Sequence, residues 1–94
     1  MAADVKLKEQ VTMEKDFKDR IAVLTISYHN LGVEQEFLKQ YLQATESYRM
    51  AKEFSDKYLG VRDPVTHNMA DIYIKAKHDI DKKLEANAIR EEAR

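Results

Sequence analysis

The residues that could carry chemistry in this sequence are three histidines and several closely spaced carboxylates. His67 and His78 are eleven residues apart, which on a helix separates them by roughly 16 Å, so one metal ion could not bind both. His67 and Asp71 have the i, i+4 spacing of helical metal ligands, but two ligands make an incomplete site. We therefore predict no metal site.

The other titratable residues have spacings that do not suit acid–base or nucleophilic catalysis. Glu34 and Glu36, like Asp79 and Asp81, are i, i+2 pairs, whose side chains point to different sides of a helix. His29 has no Ser, Cys or carboxylate at a spacing typical of a catalytic triad. The two glycines are isolated, so the sequence contains no glycine-rich phosphate-binding loop. These patterns predict a protein that is not an enzyme and that needs no cofactor.

The composition favours long helices in a single domain, residues 1–94. Hydrophobic residues make up 44% and charged residues 35%, with two Gly, one Pro and no Cys; this excludes collagen, low-complexity disorder, turn-rich β-sandwiches and disulfide scaffolds. The formal net charge of −1 provides no field that would attract nucleic acid or an anionic membrane. No stretch approaches the roughly 20 apolar residues that span a bilayer. We expect a cytoplasmic protein whose partner is neither a nucleic acid nor a membrane.

Hydrophobic periodicity predicts three helices, over residues 4–38, 41–59 and 64–92. The first break falls around Lys39 and Gln40, where one apolar register ends. At the second break, Gly60 suits a left-handed helix end, Asp63 an N-cap, and Pro64 the first helical position. Because both connections are short, the helices should be antiparallel neighbours. The predicted fold is therefore all-α, a helical hairpin with a third long helix packed back on it.

Residues 25–58 resemble a tetratricopeptide repeat (TPR), a 34-residue helix–turn–helix unit with small and aromatic residues at fixed offsets. The matching positions are Tyr28, Leu31, Gly32, Ala44, Tyr48 and Ala51. The resemblance implies that Gly32 and Ala44 lie where the two helices touch, and that the aromatic side chains fill the space between repeats. Two positions depart from the pattern, since Gln35 replaces an aromatic residue and Asp56 replaces the closing proline.

The end of the second helix looks like the longer repeats of the kinesin light chain group. It runs on to Leu59 and Gly60 before Asp63 and Pro64. Residues 64–92 would then begin a partial second repeat; because Tyr73 stands where a repeat would have its glycine, they could instead form a capping or oligomerisation helix. Similar repeats occur in ciliary, flagellar and other cytoskeletal proteins, so the resemblance also allows an association with the cytoskeleton or with a cilium or flagellum.

The resemblance implies a non-enzymatic scaffold that binds a peptide or partner protein. In TPRs the first helix of each repeat lines the binding groove, which here identifies five candidate residues: Ile26, His29, Val33, Glu36 and Phe37. An apolar seam runs along the first helix at alternating steps of four and three residues, through Phe17, Ile21, Leu24, Tyr28, Leu31, Gln35 and Leu38. Val33 and Phe37 are i, i+4 neighbours away from this seam, and we predict that they form an apolar docking spot. Alternatively, they pack against residues 4–16 or against a second copy of the chain.

A single repeat cannot bury its own apolar faces, since about three repeats are normally needed for stability. We therefore expect a homo-oligomer, in contact through the Phe17–Leu38 seam or through the Ile80–Ala88 stripe of the third helix. The alternative function is a structural homo-oligomerisation element of a larger cytoskeletal, ciliary or flagellar protein.

Overall fold

A computed structural model describes the backbone of residues 2–92 and the side chains of residues 7–92. It contains three α-helices, α1 (Ala2–Phe37), α2 (Tyr41–Tyr58) and α3 (Pro64–Glu92). No strand occurs within the described backbone. The all-α prediction is confirmed, and each predicted helix differs from the observed one by at most two residues at either end.

The turn between α1 and α2 is a Schellman motif built around Lys39. The backbone N–H of Lys39 donates to the carbonyl oxygen of Glu36 at 3.0 Å, and that of Gln40 donates to Gln35 at 2.8 Å. Lys39 itself has φ +62°, the left-handed conformation that usually falls to glycine at this position. The turn therefore carries backbone strain that a lysine tolerates poorly.

The turn between α2 and α3 confirms the predicted helix-end and helix-start residues. Gly60 has φ +87° and its N–H donates to the carbonyl oxygen of Ser55 at 3.0 Å. The Asp63 side chain accepts a hydrogen bond from the N–H of Val65 at 2.9 Å, as an N-cap does, and α3 begins at Pro64. The buried hydroxyl of Thr66 also donates to the Ser55 carbonyl at 3.2 Å, which fastens the first turn of α3 to the end of α2.

The middle helix, α2, packs against α1 on one side and against α3 on the other. Its small residues allow close approach, since Ala44 and Ala51 are almost fully buried. The hydrophobic core lies mainly between α2 and α3 and consists of Ala44, Tyr48, Ala76 and Ile80, bordered by Tyr41, Ile72, Tyr73 and Leu84. A hairpin with the third helix packed back on α2 is therefore the architecture.

The molecule is elongated, with extents of 77 × 21 × 13 Å. At 1.5 Å per residue α1 is about 54 Å long and α2 about 27 Å, so α1 extends well past its partner. The ring of Phe17 contacts that of Tyr58, the last residue of α2, and every residue from 7 to 20 is exposed. At the other end of the molecule residues 85–92 of α3 are exposed as well.

Candidate functional site

The contact between α1 and α2 is closest at Gly32. Gly32 is buried, and a Cβ atom placed on it would lie 2.8 Å from Cε1 and 2.9 Å from Cδ1 of Tyr48. The ring of Tyr48 thus occupies the space that a side chain at position 32 would need. The sequence predicts a close approach here but assigns it to Ala44. The residue that α1 meets is Tyr48, one helical turn further along α2.

The remaining residues of the TPR-like pattern take different environments. Ala44, Tyr48 and Ala51 are buried. Tyr28 is half-buried and its ring stacks on that of Phe54, with centroids 5.5 Å apart. Leu31, in contrast, is 46% exposed and lies away from the closest contact of the two helices.

Gln35 occupies the position where a TPR would carry an aromatic residue. Its side-chain oxygen accepts a hydrogen bond from the hydroxyl of Ser47 on α2, a residue that is itself buried. A polar link between the helices therefore takes the place of the expected aromatic packing.

The five predicted partner-binding residues lie along one flank of α1, but only three of them border a common depression. Val33, Glu36 and Phe37 line a shallow groove with Tyr48 of α2 and Lys83 of α3, which we call the α1 groove. Phe37 is 81% exposed and Val33 is 44% exposed. The alternative that these two pack against residues 4–16 is wrong, because those residues belong to the same continuous helix.

Ile26 and His29 lie outside the α1 groove. Ile26 is exposed, whereas His29 is half-buried and its ring faces that of Tyr48, with centroids 5.8 Å apart. The Nδ1 atom of His29 and the hydroxyl of Thr25, one turn earlier, are buried without a hydrogen-bond partner among the described residues. His29 is therefore part of the α1–α2 interface rather than of an open surface.

A polar contact joins all three helices at the floor of the groove. The hydroxyl of Tyr48 donates to Oε1 of Glu36 at 3.0 Å, and Nζ of Lys83 lies 3.4 Å from Oε2 of the same carboxylate. Nζ of Lys83 also lies 5.5 Å from the ring centroid of Tyr41, within cation–π range. Burial and the bond to Glu36 both raise the pKa of the Tyr48 hydroxyl, so it stays protonated and acts as a structural donor rather than as a nucleophile.

A second apolar surface lies on the other flank of α1. Four residues at intervals of seven are exposed there, and we call this surface the α1 ridge: Phe17 (50%), Leu24 (40%), Leu31 (46%) and Leu38 (61%). The predicted seam is therefore divided: Ile21, Tyr28 and Gln35 are half-buried towards α2, the other four residues form the exposed ridge, and none of the seven is at the centre of the α1–α2 contact. Fully buried Thr25 and buried Gly32 occupy that centre instead.

The second predicted oligomer contact, the Ile80–Ala88 stripe, is wrong in its first member. Ile80 has no exposed surface, because it packs in the core between α2 and α3. Leu84 is half-buried at the edge of the same core. The stripe thus stabilises the fold and offers little surface to another copy.

Among the described residues, no group of three or more His, Asp or Glu side chains is placed to hold a metal ion. Nor does any helix in the described part of the chain have the length and apolar character needed to cross a membrane. Comparison with models of known protein families finds no match, and neither does comparison with curated proteins or with solved structures.

Proposed function

We propose that this chain is a non-enzymatic protein–protein interaction module of the TPR type, which binds a peptide or a segment of a partner protein along the α1 groove. The observation that carries the proposal is the 81% exposure of Phe37 beside the half-exposed Val33. An aromatic ring held on a helix next to a groove can be buried by a ligand with little loss of conformational freedom.

The polar contact beneath the groove supports this proposal. Because Glu36 links Tyr48 of α2 to Lys83 of α3, the groove is lined by three helices in a defined arrangement. Pre-organisation lowers the entropic cost of binding. The side chain of Lys83 is half exposed, so a ligand in the groove can reach this polar contact; polar groups select among partners while the apolar centre supplies affinity.

The TPR assignment is supported by the small residues at the helix contact. Gly32 of α1 and Ala44 and Ala51 of α2 are all buried, and the glycine accommodates the ring of Tyr48 from the facing helix. The TPR resemblance implies small buried residues at these positions, although it pairs Gly32 with Ala44 and places the aromatic side chains between repeats.

Binding of selected peptides to Phe37→Ala tests the proposed function. Peptides selected from a random library on the wild-type chain should bind Phe37→Ala at least about thirtyfold more weakly, a loss of roughly 2 kcal/mol for a hot-spot residue. The melting temperature should change little, because the ring is exposed. Val61→Ala, at a residue that is 70% exposed in the other turn, is the matched control and should bind normally.

Two results would contradict the α1 groove as the binding site. One is equal affinity of the selected peptides for wild type and Phe37→Ala. The other is a loss of about 3–5 kcal/mol in folding stability in Phe37→Ala, which would identify Phe37 as a core residue.

A second candidate function is homo-oligomerisation within a larger cytoskeletal, ciliary or flagellar protein. The α1 ridge favours this function. Its four large apolar side chains are 40–61% exposed and form one continuous row, whereas the exposed apolar residues of a monomeric protein are usually scattered singly.

A further inference from the structure

The α1 ridge has a regular spacing that suits contact with another helix. Its four residues recur every seven positions, which returns them to nearly the same side of a helix. From Phe17 to Leu38 the ridge is about 32 Å long. Of the ridge residues, only Phe17 has an aromatic neighbour: its ring packs edge-to-face with that of Tyr58, and Phe17 remains 50% exposed.

The ridge is complementary to itself when two copies run antiparallel. With a two-fold axis beside Ser27, Leu24 of one copy lies level with the partner's Leu31. In the same register, Phe17 lies level with the partner's Leu38. Each apolar residue of the ridge therefore meets another, and every contact occurs twice, as an isologous interface requires.

The charges along the ridge fit the same register. Arg20 and Glu34 are exposed, border the ridge, and form no ion pair among the described residues. They lie 14 residues, or about 21 Å, apart on one helix and so cannot pair within the chain. In the antiparallel register Arg20 lies within about 1.5 Å, measured along the helix axis, of the level of the partner's Glu34.

A parallel pairing would instead place each Arg20 beside the partner's Arg20 and each Glu34 beside the partner's Glu34. Like charges along a helix pair oppose association, and opposite charges select orientation and partner. The charge pattern therefore distinguishes the two orientations and favours the antiparallel one.

We propose that two copies of this chain associate through the α1 ridge as an antiparallel, two-fold symmetric dimer with Leu24 opposite the partner's Leu31. This inference rests on the second candidate function and specifies its contact. Because the ridge is a single row of four side chains, we expect an interface smaller than the standard one of about 800 Å² on each partner, and hence a weak, reversible dimer. It leaves Phe37 free, because the groove and the ridge lie on opposite flanks of α1.

Charge reversal tests the register by sedimentation equilibrium. Arg20→Glu and Glu34→Arg should each weaken the dimer by about tenfold or more, since each places two like-charged pairs across the contact. The double variant should return to within about threefold of wild type, and an equimolar mixture of the two single variants should form a heterodimer. Raised salt should weaken the wild-type dimer and strengthen the single variants.

Cysteine cross-linking tests the relative orientation of the two α1 helices. The sequence contains no cysteine, so only the introduced thiols can react. With a short thiol-reactive cross-linker, a mixture of Arg20→Cys and Glu34→Cys should yield a covalent heterodimer, and Arg20→Cys alone should yield little product. Leu24→Glu should abolish the dimer with helicity retained. Ile26→Glu, at a similarly exposed residue on the other flank, should leave it unchanged.

The possible outcomes distinguish a wrong antiparallel register from a wrong oligomerisation function. A wild-type chain that stays monomeric at high micromolar concentration overturns both the dimer and the oligomerisation function. If the charge reversals do not change the dimer's dissociation constant, or if Arg20→Cys alone gives a covalent dimer, the antiparallel register is wrong. The oligomerisation function would then still hold.

Discussion

At Gly32 the absence of a side chain sets the distance between α1 and α2. The ring of Tyr48 lies where a Cβ would be, and the bond from its hydroxyl to Glu36 holds the ring in place. A residue larger than glycine must therefore displace either the ring or the helix. Glycine therefore occupies a position where helix propensity alone would favour almost any other residue.

We expect Gly32→Leu to lower the free energy of unfolding by about 1–3 kcal/mol, because overpacking against Tyr48 outweighs the improved helix propensity, which is worth up to about 1 kcal/mol. Chemical denaturation monitored by circular dichroism measures the change. Asn30→Leu, at an exposed position of the same helix, should alter stability little. An unchanged or raised stability in Gly32→Leu would contradict the close packing at this position.

At the scale of the helices, the residue types explain why the sequence predicts the α2–α3 turn in detail and the α1–α2 turn only in position. Gly60, Asp63 and Pro64 each signal a specific backbone role, and the structure uses all three. The α1–α2 turn carries no such signal, because Lys39 occupies the left-handed position. Only the change of apolar register marks it in the sequence.

The strain at Lys39 leads to a prediction for this turn. Lys39→Gly should raise the free energy of unfolding by about 0.5–1 kcal/mol, since relief of the left-handed strain outweighs the greater entropy of the unfolded chain. Gln40→Gly is the control, because Gln40 has φ −86° and should lose stability instead. Urea denaturation of the three proteins gives the comparison, and a loss of stability in Lys39→Gly would show that the turn does not adopt the Schellman geometry.

The buried face of α1 could not be read from hydrophobicity. The four ridge residues point away from the centre of the α1–α2 contact, whereas α2 packs over Thr25, Gly32 and Gln35. Close packing of helices favours small residues, and a search for apolar periodicity does not detect these. The exposed flank carrying Val33 and Phe37 was predicted from the TPR resemblance. The link from Glu36 to Lys83 was not, because it joins residues 47 positions apart and depends on how α3 returns along α2.

At the scale of the whole molecule, packing is concentrated in the middle of a long body. The buried side chains of the described residues lie between positions 25 and 80. The molecule is 77 Å long because the start of α1 and the end of α3 extend beyond this packed region. The ridge and the groove both lie on the part of α1 that α2 supports. Both surfaces therefore lie on a helix that is already ordered by packing. A partner can bind either surface without first ordering the helix.

The unsupported part of α1 should open on its own, independently of the rest of the molecule. Residues 7–16 have exposed side chains on every side, and isolated helices shorter than about 12–15 residues are marginal in water. Their amide hydrogens should therefore exchange with solvent far faster than those of residues 44–55, whose opening requires separation of the helices. Hydrogen–deuterium exchange read by mass spectrometry measures both segments at once. Equal protection of the two would mean that this stretch of α1 is covered in solution, and since the proposed dimer begins at Phe17, the covering surface would have to come from another partner.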